Sequence, residues 1–228
     1  MTNRLILASS SPRRQELIQS FGLPYIIRVS DADETVAQKM SPAQFVETLS
    51  LRKAATVRDM LSVDERHGVI IGSDTIVVLQ DEILGKPVDR DDAFRMLKAL
   101  QGSKHQVYSG VACVNAAVNA DFDEEISQAN SFGSIGHYRT QTEPGQDRTS
   151  ISVGHTVSSV TFRTMSDEEI WAYVSTGEPL DKAGSYGVQG VGALFIEKIE
   201  GDFHSVMGLP LNLLYHMLRM FEINPLFK

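Results

Sequence analysis

Apolar and polar residues along this chain alternate between two spacings, and the switches are marked by residues that start and stop helices. Leu5-Ile6-Leu7 is a short apolar run of the kind found in a buried strand. Pro12 then suits a first helical position, Leu17, Ile18 and Phe21 form an apolar stripe, and Gly22 suits the exit. Ser41-Pro42-Ala43-Gln44 spells a capping box with proline at its first turn, and Phe45, Val46 and Leu49 supply a buried face. The spacing predicts a third helix over Asp89–Leu100, with Phe94, Met96, Leu97 and Leu100 on one side and Gly102 just beyond. Ser166-Asp167-Glu168-Glu169 is another capping box, leading into Ile170, Trp171, Tyr173 and Val174 before Gly177. A last helix is predicted from about Leu211 to Phe221.

Strands are predicted between these helices at Val69–Ile71, Thr75–Leu79, Val107–Val114, Ser159–Arg163 and Ala193–Ile199. Several are apolar on both sides, so the fold class read from the pattern is α/β, a sheet with helices on its faces. From about Asn115 to Gly154 the pattern dissolves into Asp, Glu, Ser, Gln, Gly and Thr. That stretch is expected to be a loop insertion between two strands, with room for a short hairpin, in a single domain spanning 1–228.

Composition narrows the function classes. The 228 residues carry a net charge of −8, so the overall field repels polyanions and argues against general nucleic-acid binding. A local basic pocket for a small anion remains compatible with it. Cys113 is the one cysteine, which excludes an internal disulfide and a cysteine-rich metal cluster. No apolar run is long enough to span a bilayer and the first residues lack a signal-peptide pattern, so a cytoplasmic protein is expected.

Three segments could carry chemistry. Ala8-Ser9-Ser10-Ser11-Pro12-Arg13-Arg14 follows a strand and opens a helix. Unpaired backbone N–H groups, the helix dipole and two guanidinium forks make such a start suited to an anion, although a solvated basic helix end fits the same residues. In Ile70-Ile71-Gly72-Ser73-Asp74-Thr75-Ile76-Val77 a carboxylate sits between two apolar halves. It must cap a turn, pair with a cation or bind a metal, and the glycine and serine before it predict a bend lifting Asp74 into a cleft. Glu178 to Gly192 is dense in glycine, so its backbone can approach a ligand. Tyr186 and Gln189 there could read a base or sugar, against the plainer alternative of a tight turn with a core tyrosine.

Other chemistries fit poorly. Gly85-Lys86-Pro87 lacks the spacing of a P-loop, leaving Lys86 as a point charge for phosphate or an exposed turn lysine. The six histidines show no zinc spacing, no Gly-x-Ser-x-Gly elbow is present, and Cys113 reads as a small core residue.

Taken in order, Leu7-Ala8-Ser9-Ser10-Ser11-Pro12-Arg13-Arg14, Gly72-Ser73-Asp74-Thr75-Ile76-Val77, Gly85-Lys86-Pro87 and Asp181-Lys182-Ala183-Gly184-Ser185-Tyr186-Gly187-Val188-Gln189-Gly190 closely resemble the Maf family of nucleoside triphosphate pyrophosphatases. Val160-Thr161-Phe162-Arg163-Thr164-Met165 and Gly208-Leu209-Pro210-Leu211 continue the resemblance over nearly the whole chain outside the insertion. It implies a mixed, twisted sheet flanked by helices, with a central cleft between two lobes, and a homodimer. It also implies hydrolysis of a nucleoside triphosphate to monophosphate and pyrophosphate with a divalent cation, Mg²⁺, Mn²⁺ or Co²⁺. Asp74 matches the general base, with Lys53 and Lys86 as further catalytic positions and Glu34 joining Asp74 at the metal. Ser9, Arg13, Arg14, Thr75 and Gln189 match substrate-binding positions. Arg13, Thr75 and Gln189 point to the dTTP/UTP branch, since the 7-methyl-GTP branch carries tryptophan, glutamine and glutamate there. A non-catalytic nucleotide-binding regulator of cell division, or a pyrophosphatase preferring another base such as 7-methyl-GTP, are the alternatives.

Overall fold

The longest apolar stretches pair with one another and set the frame of the molecule. The computed structural model describes residues 4–36, 40–118, 128–131, 135–142 and 149–227. In the first half lie β1 (Leu5–Leu7), α1 (Pro12–Gln19), β2 (Tyr25–Ile27), α2 (Pro42–Met60), β3 (Val69–Leu79), β4 (Glu82–Leu84) and α3 (Arg90–Leu100). They are followed by β5 (Lys104–Asn115), β6 (Gln128–Ser131), β7 (His137–Thr142), β8 (Thr149–Phe162) and α4 (Asp167–Ser175). After short 3₁₀ turns come β9 (Ile196–Glu200), α5 (Phe203–Met207) and α6 (Leu211–Arg219). The strands form one mixed sheet in the order β2-β1-β3-β5-β8-β7-β6, with β4 on β3 and β9 on β8. β2, β1 and β3 run parallel and the other pairs antiparallel.

Side-chain alternation splits the core into faces. Leu5, Leu7, Val69, Ile71, Val111 and Cys113 pack against α1 and α6. Their neighbours Ile6, Ala8, Ile70, Ala112 and Val114 pack on the other face against Ala54 and Val57 of α2. With helices on both faces the expected α/β class is the observed one. Both capping boxes form: Ser41 Oγ accepts from Gln44 N at 3.3 Å, and Ser166 Oγ accepts from Glu169 N at 3.3 Å. No helix among the described residues is long and apolar enough to cross a membrane.

The bend expected at Gly72-Ser73 is absent, and the two strands predicted on either side of it are one continuous β3. Gly72 is there for a different reason. A Cβ at Gly72 would stand 2.0 Å from Ser50 O, and one at Gly110 on β5 would stand 2.3 Å from Val46 O. Bare backbone on adjoining strands lets the main chain of α2 settle directly on the sheet. Asp74 reaches a cavity without a bend because β3 has a gap in its pairing. On one side β5 covers it throughout, while on the other β1 pairs with 69–71 and β4 with 77–79. Residues 72–76 lie between, with neither strand beside them.

The stretch read as an insertion also differs. Thr149–Gly154 is the first part of β8, running on into Ser159 and beyond, and β6 and β7 form the hairpin that extends the sheet edge. Ser150, Ile151, Ser152 and Val153 are all buried, so both faces are covered and serines fill one of them, which hides the strand from a reading based on apolar content. Residues 119–127, 132–134 and 143–148 of that stretch lie outside the described ones.

Candidate functional site

The gap in β3 opens onto a cavity of about 530 Å³, within the range of small-molecule sites. Because successive strand residues face opposite ways, the gap presents Asp74 toward α2 and Thr75 toward the opposite face. The serine-rich turn after β1, with Ser9, Ser10, Ser11, Pro12 and Arg13, closes one side, and Lys86 and Lys182 line another.

On the α2 side the site is a charge cluster. Lys53 Nζ lies 2.7 Å from Asp74 Oδ1 and 2.7 Å from Glu34 Oε1. Lys53 and Asp74 are largely buried, with side-chain exposures of 13% and 11%. Burial works against Glu34's charge, but hydrogen bonding and charge from Lys53, with Lys86 and Arg14 further off, hold its carboxyl below the ordinary value. Lys86 is placed by its turn, where Gly184 N donates to Gly85 O at 3.0 Å.

The opposite side is a hydrogen-bonded scaffold. Arg14 spreads its fork over three elements: Nε donates to Gly208 O at 2.7 Å, Nη2 to Thr75 Oγ1 at 3.2 Å and Nη1 to Ser9 Oγ at 3.5 Å. Burial pulls its pKa below the usual guanidinium range, with Asp74 pulling the other way. Gly208, at φ +118°, turns its carbonyl toward both Arg14 and Ser73 Oγ, the latter at 2.9 Å. Behind them Thr75 Oγ1 lies 2.8 Å from Ser109 Oγ, which donates to Ser205 O at 2.6 Å.

Asp74, Lys53, Glu34, Lys86, Ser9, Arg13, Arg14 and Thr75 thus line one cavity. Gln189 does not: it is half-buried, one residue beyond the cavity-lining Val188 and just before the 3₁₀ turn Gly190–Phe195. Tyr186 touches the cavity but serves as a core residue, packed on Phe162 and 2.8 Å from His105 Nε2, so stacking on a base is not its setting. Ser73, Ser109 and Gly208 were not singled out as site residues by sequence reading. A hydroxyl embedded in an apolar strand, as at Tyr108-Ser109-Gly110, was the available signal.

Which groups could hold a metal follows from the donors. Asp74 and Glu34 bring hard oxygens from two segments to a single cationic centre. Among the described residues no group of three or more His, Cys, Asp or Glu could hold an ion. Two carboxylates completed by substrate oxygens and water is a pattern that suits Mg²⁺ and similar ions, so the residues fit a substrate-assisted site rather than an all-protein cage.

Comparison with known proteins places the chain in a family. The family model described as "Maf-like protein" matches residues 4–221. A dTTP/UTP pyrophosphatase of Desulforamulus reducens is 41% identical over 219 residues, covering 96% of this chain and 97% of its own. Proteins of the same name from Symbiobacterium thermophilum and Bacillus cereus are 43% and 38% identical, covering 96% and 97% of this chain and 94% and 97% of their own. With a family match running almost end to end and relatives of this closeness at nearly full length, the chain belongs to the Maf family.

Proposed function

We propose that this protein hydrolyses dTTP and UTP to the nucleoside monophosphate and pyrophosphate. The observation that carries the reading is the gap in β3, which sets a carboxylate held by a lysine on one face and an arginine-bound hydroxyl on the other, within one nucleotide-sized cavity. The same activity in the names of relatives about 40% identical supports it. Asp74 takes the proton of the water that attacks the α-phosphorus. Arg13, Arg14, Lys53 and Lys86 neutralise phosphate oxygens that the chain's net charge of −8 would otherwise repel, and stabilise the departing pyrophosphate. Asp74 and Glu34 would hold a divalent cation, which supplies charge neutralisation and a more acidic bound water. Thr75, and Gln189 if its turn moves onto the ligand, read the pyrimidine edge. A homodimer and a cytoplasmic setting belong to the same proposal through the family resemblance.

The test is pyrophosphate release from a panel of dTTP, UTP, CTP, purine triphosphates and 7-methyl-GTP with Mg²⁺, Mn²⁺ or Co²⁺. Turnover led by dTTP and UTP is expected. A purine preference overturns the choice of base, and micromolar nucleotide binding without turnover replaces the enzyme with a regulator.

A further inference from the structure

The hydroxyl of Thr75 has its hydrogen assigned by its neighbours. Ser109 Oγ lies 2.6 Å from the carbonyl of Ser205, which can only accept, so the one hydrogen of Ser109 points there. The 2.8 Å contact between Ser109 and Thr75 must therefore be filled by the hydrogen of Thr75. Arg14 Nη2, which can only donate, takes one lone pair of Thr75 Oγ1 at 3.2 Å. The chain runs one way, from Arg14 to Thr75 to Ser109 to Ser205 O. Ser109 is fully buried, with 0% exposure, and no rearrangement of water can reverse it. What Thr75 still offers the cavity is one lone pair and no hydrogen.

The surroundings say which part of a nucleotide meets that lone pair. On the Thr75 side the cavity is walled by Val77, Val107, Val188, Val206 and Met207, with Arg14 at the edge of that wall beside Thr75, while Lys53 and Glu34 gather around Asp74. The apolar wall that runs from Thr75 away from Arg14 suits a flat heterocycle, and Arg14 together with the Asp74 side suits phosphates.

We propose that Ser109 is a positioning residue for base selection: by holding Thr75 as an obligate acceptor, it favours a pyrimidine with an N3–H donor, as in uracil and thymine, over cytosine, whose N3 carries a lone pair. The proposal rests on the nucleotide-site reading above. Facing cytosine, two lone pairs would meet in a dry wall, and a buried polar group without a partner is strongly disfavoured.

The experiment measures kcat and KM separately for UTP and CTP in the wild-type protein, Ser109→Ala and Thr75→Ser, each checked by thermal melting. Without Ser109 the Thr75 hydroxyl can turn and donate. The CTP-to-UTP ratio of kcat/KM is then expected to rise about tenfold, mainly through KM. Thr75→Ser keeps the relay and should keep the wild-type ratio. An unchanged ratio in Ser109→Ala, or equal losses on both nucleotides, overturns the proposal, the latter by placing Thr75 against sugar or phosphate. If Ser109→Ala does not fold, Thr75→Val removes the whole hydroxyl, its lone pairs and its hydrogen together. The UTP preference should then collapse, and its survival overturns the proposal. Wild-type protein that turns over neither UTP nor dTTP defeats the functional reading instead.

Discussion

Two strands of the same sheet have a break along one edge, and the molecule treats the breaks in opposite ways. β3 lacks a partner at 72–76, between β1 and β4, and β8 lacks one at 156–158, between β7 and β9. The break in β8 is closed on the face that carries Ser158, while Val157 on the other face is 40% exposed. Asp202 N donates to Ser158 Oγ at 3.0 Å, Ser158 contacts Ser205 Oγ at 2.9 Å, and Ser158 is only 1% exposed. The break in β3 opens onto the cavity, lined by a carboxylate and a half-buried hydroxyl. A strand edge carries unpaired backbone groups that need partners. Filled from within the chain it becomes structure, and left open toward a cavity it becomes a place to receive something else.

The contrast can be broken at three points. The largest expected effect is at the open break. Asp74→Asn should lower pyrophosphate release about a thousandfold, the scale of a lost general base, while nucleotide binding stays measurable by calorimetry and the protein still melts cooperatively. Unimpaired turnover would remove Asp74 from the mechanism.

Next comes the helix that roofs this break. Glu47 of α2 is tied to the far strands by Arg139 Nη2 at 2.5 Å and His155 Nδ1 at 2.7 Å. Burial alone would raise its pKa, but the His155 hydrogen bond and the Arg139 charge outweigh that and lower it. A carboxyl lowered in the folded state binds fewer protons there than in the unfolded chain. Its contribution is therefore present above the ordinary carboxylate pKa and is lost as pH falls through the lowered value. Glu47→Gln should cost about 1–3 kcal/mol near neutral pH, and the difference from wild type should shrink on acidification. Denaturant melts across pH read this directly, and a gap that widens in acid would contradict it.

The smallest effect is expected at the break in β8. Ser158→Ala should cost about 1 kcal/mol of stability and leave kcat for UTP within a few-fold of wild type. A loss of catalysis larger than the loss of stability would erase the distinction between the two breaks.

Helices were the most legible part of this chain in sequence, because their signals are local. The capping boxes at Ser41 and Ser166 and the exits at Gly102 and Gly177 depend on residues within one or two turns. β8 was legible only at its end, since its first half carries Thr149, Ser150 and Ser152, polar side chains that neighbouring strands bury. Gly72 was misread as a bend because a glycine looks the same whether it frees its own backbone or admits another. Ser50, which decides the matter, is on α2.

By itself the sequence determined most of the helices, the α/β class and, through motifs kept in order, the family, and it named Asp74, Lys53, Glu34, Lys86 and the two arginines as candidates. Only the tertiary structure decided which side of β3 each group occupies, that Gln189 stands outside the cavity, and that Ser109 and Gly208 govern Thr75 and Arg14. The physical reason is range. Caps and periodicity act within a few residues, whereas the contacts of Arg14 with Thr75 and Gly208 join residues 61 and 194 positions apart, and the direction of a hydroxyl's hydrogen is fixed by neighbours that only folding supplies.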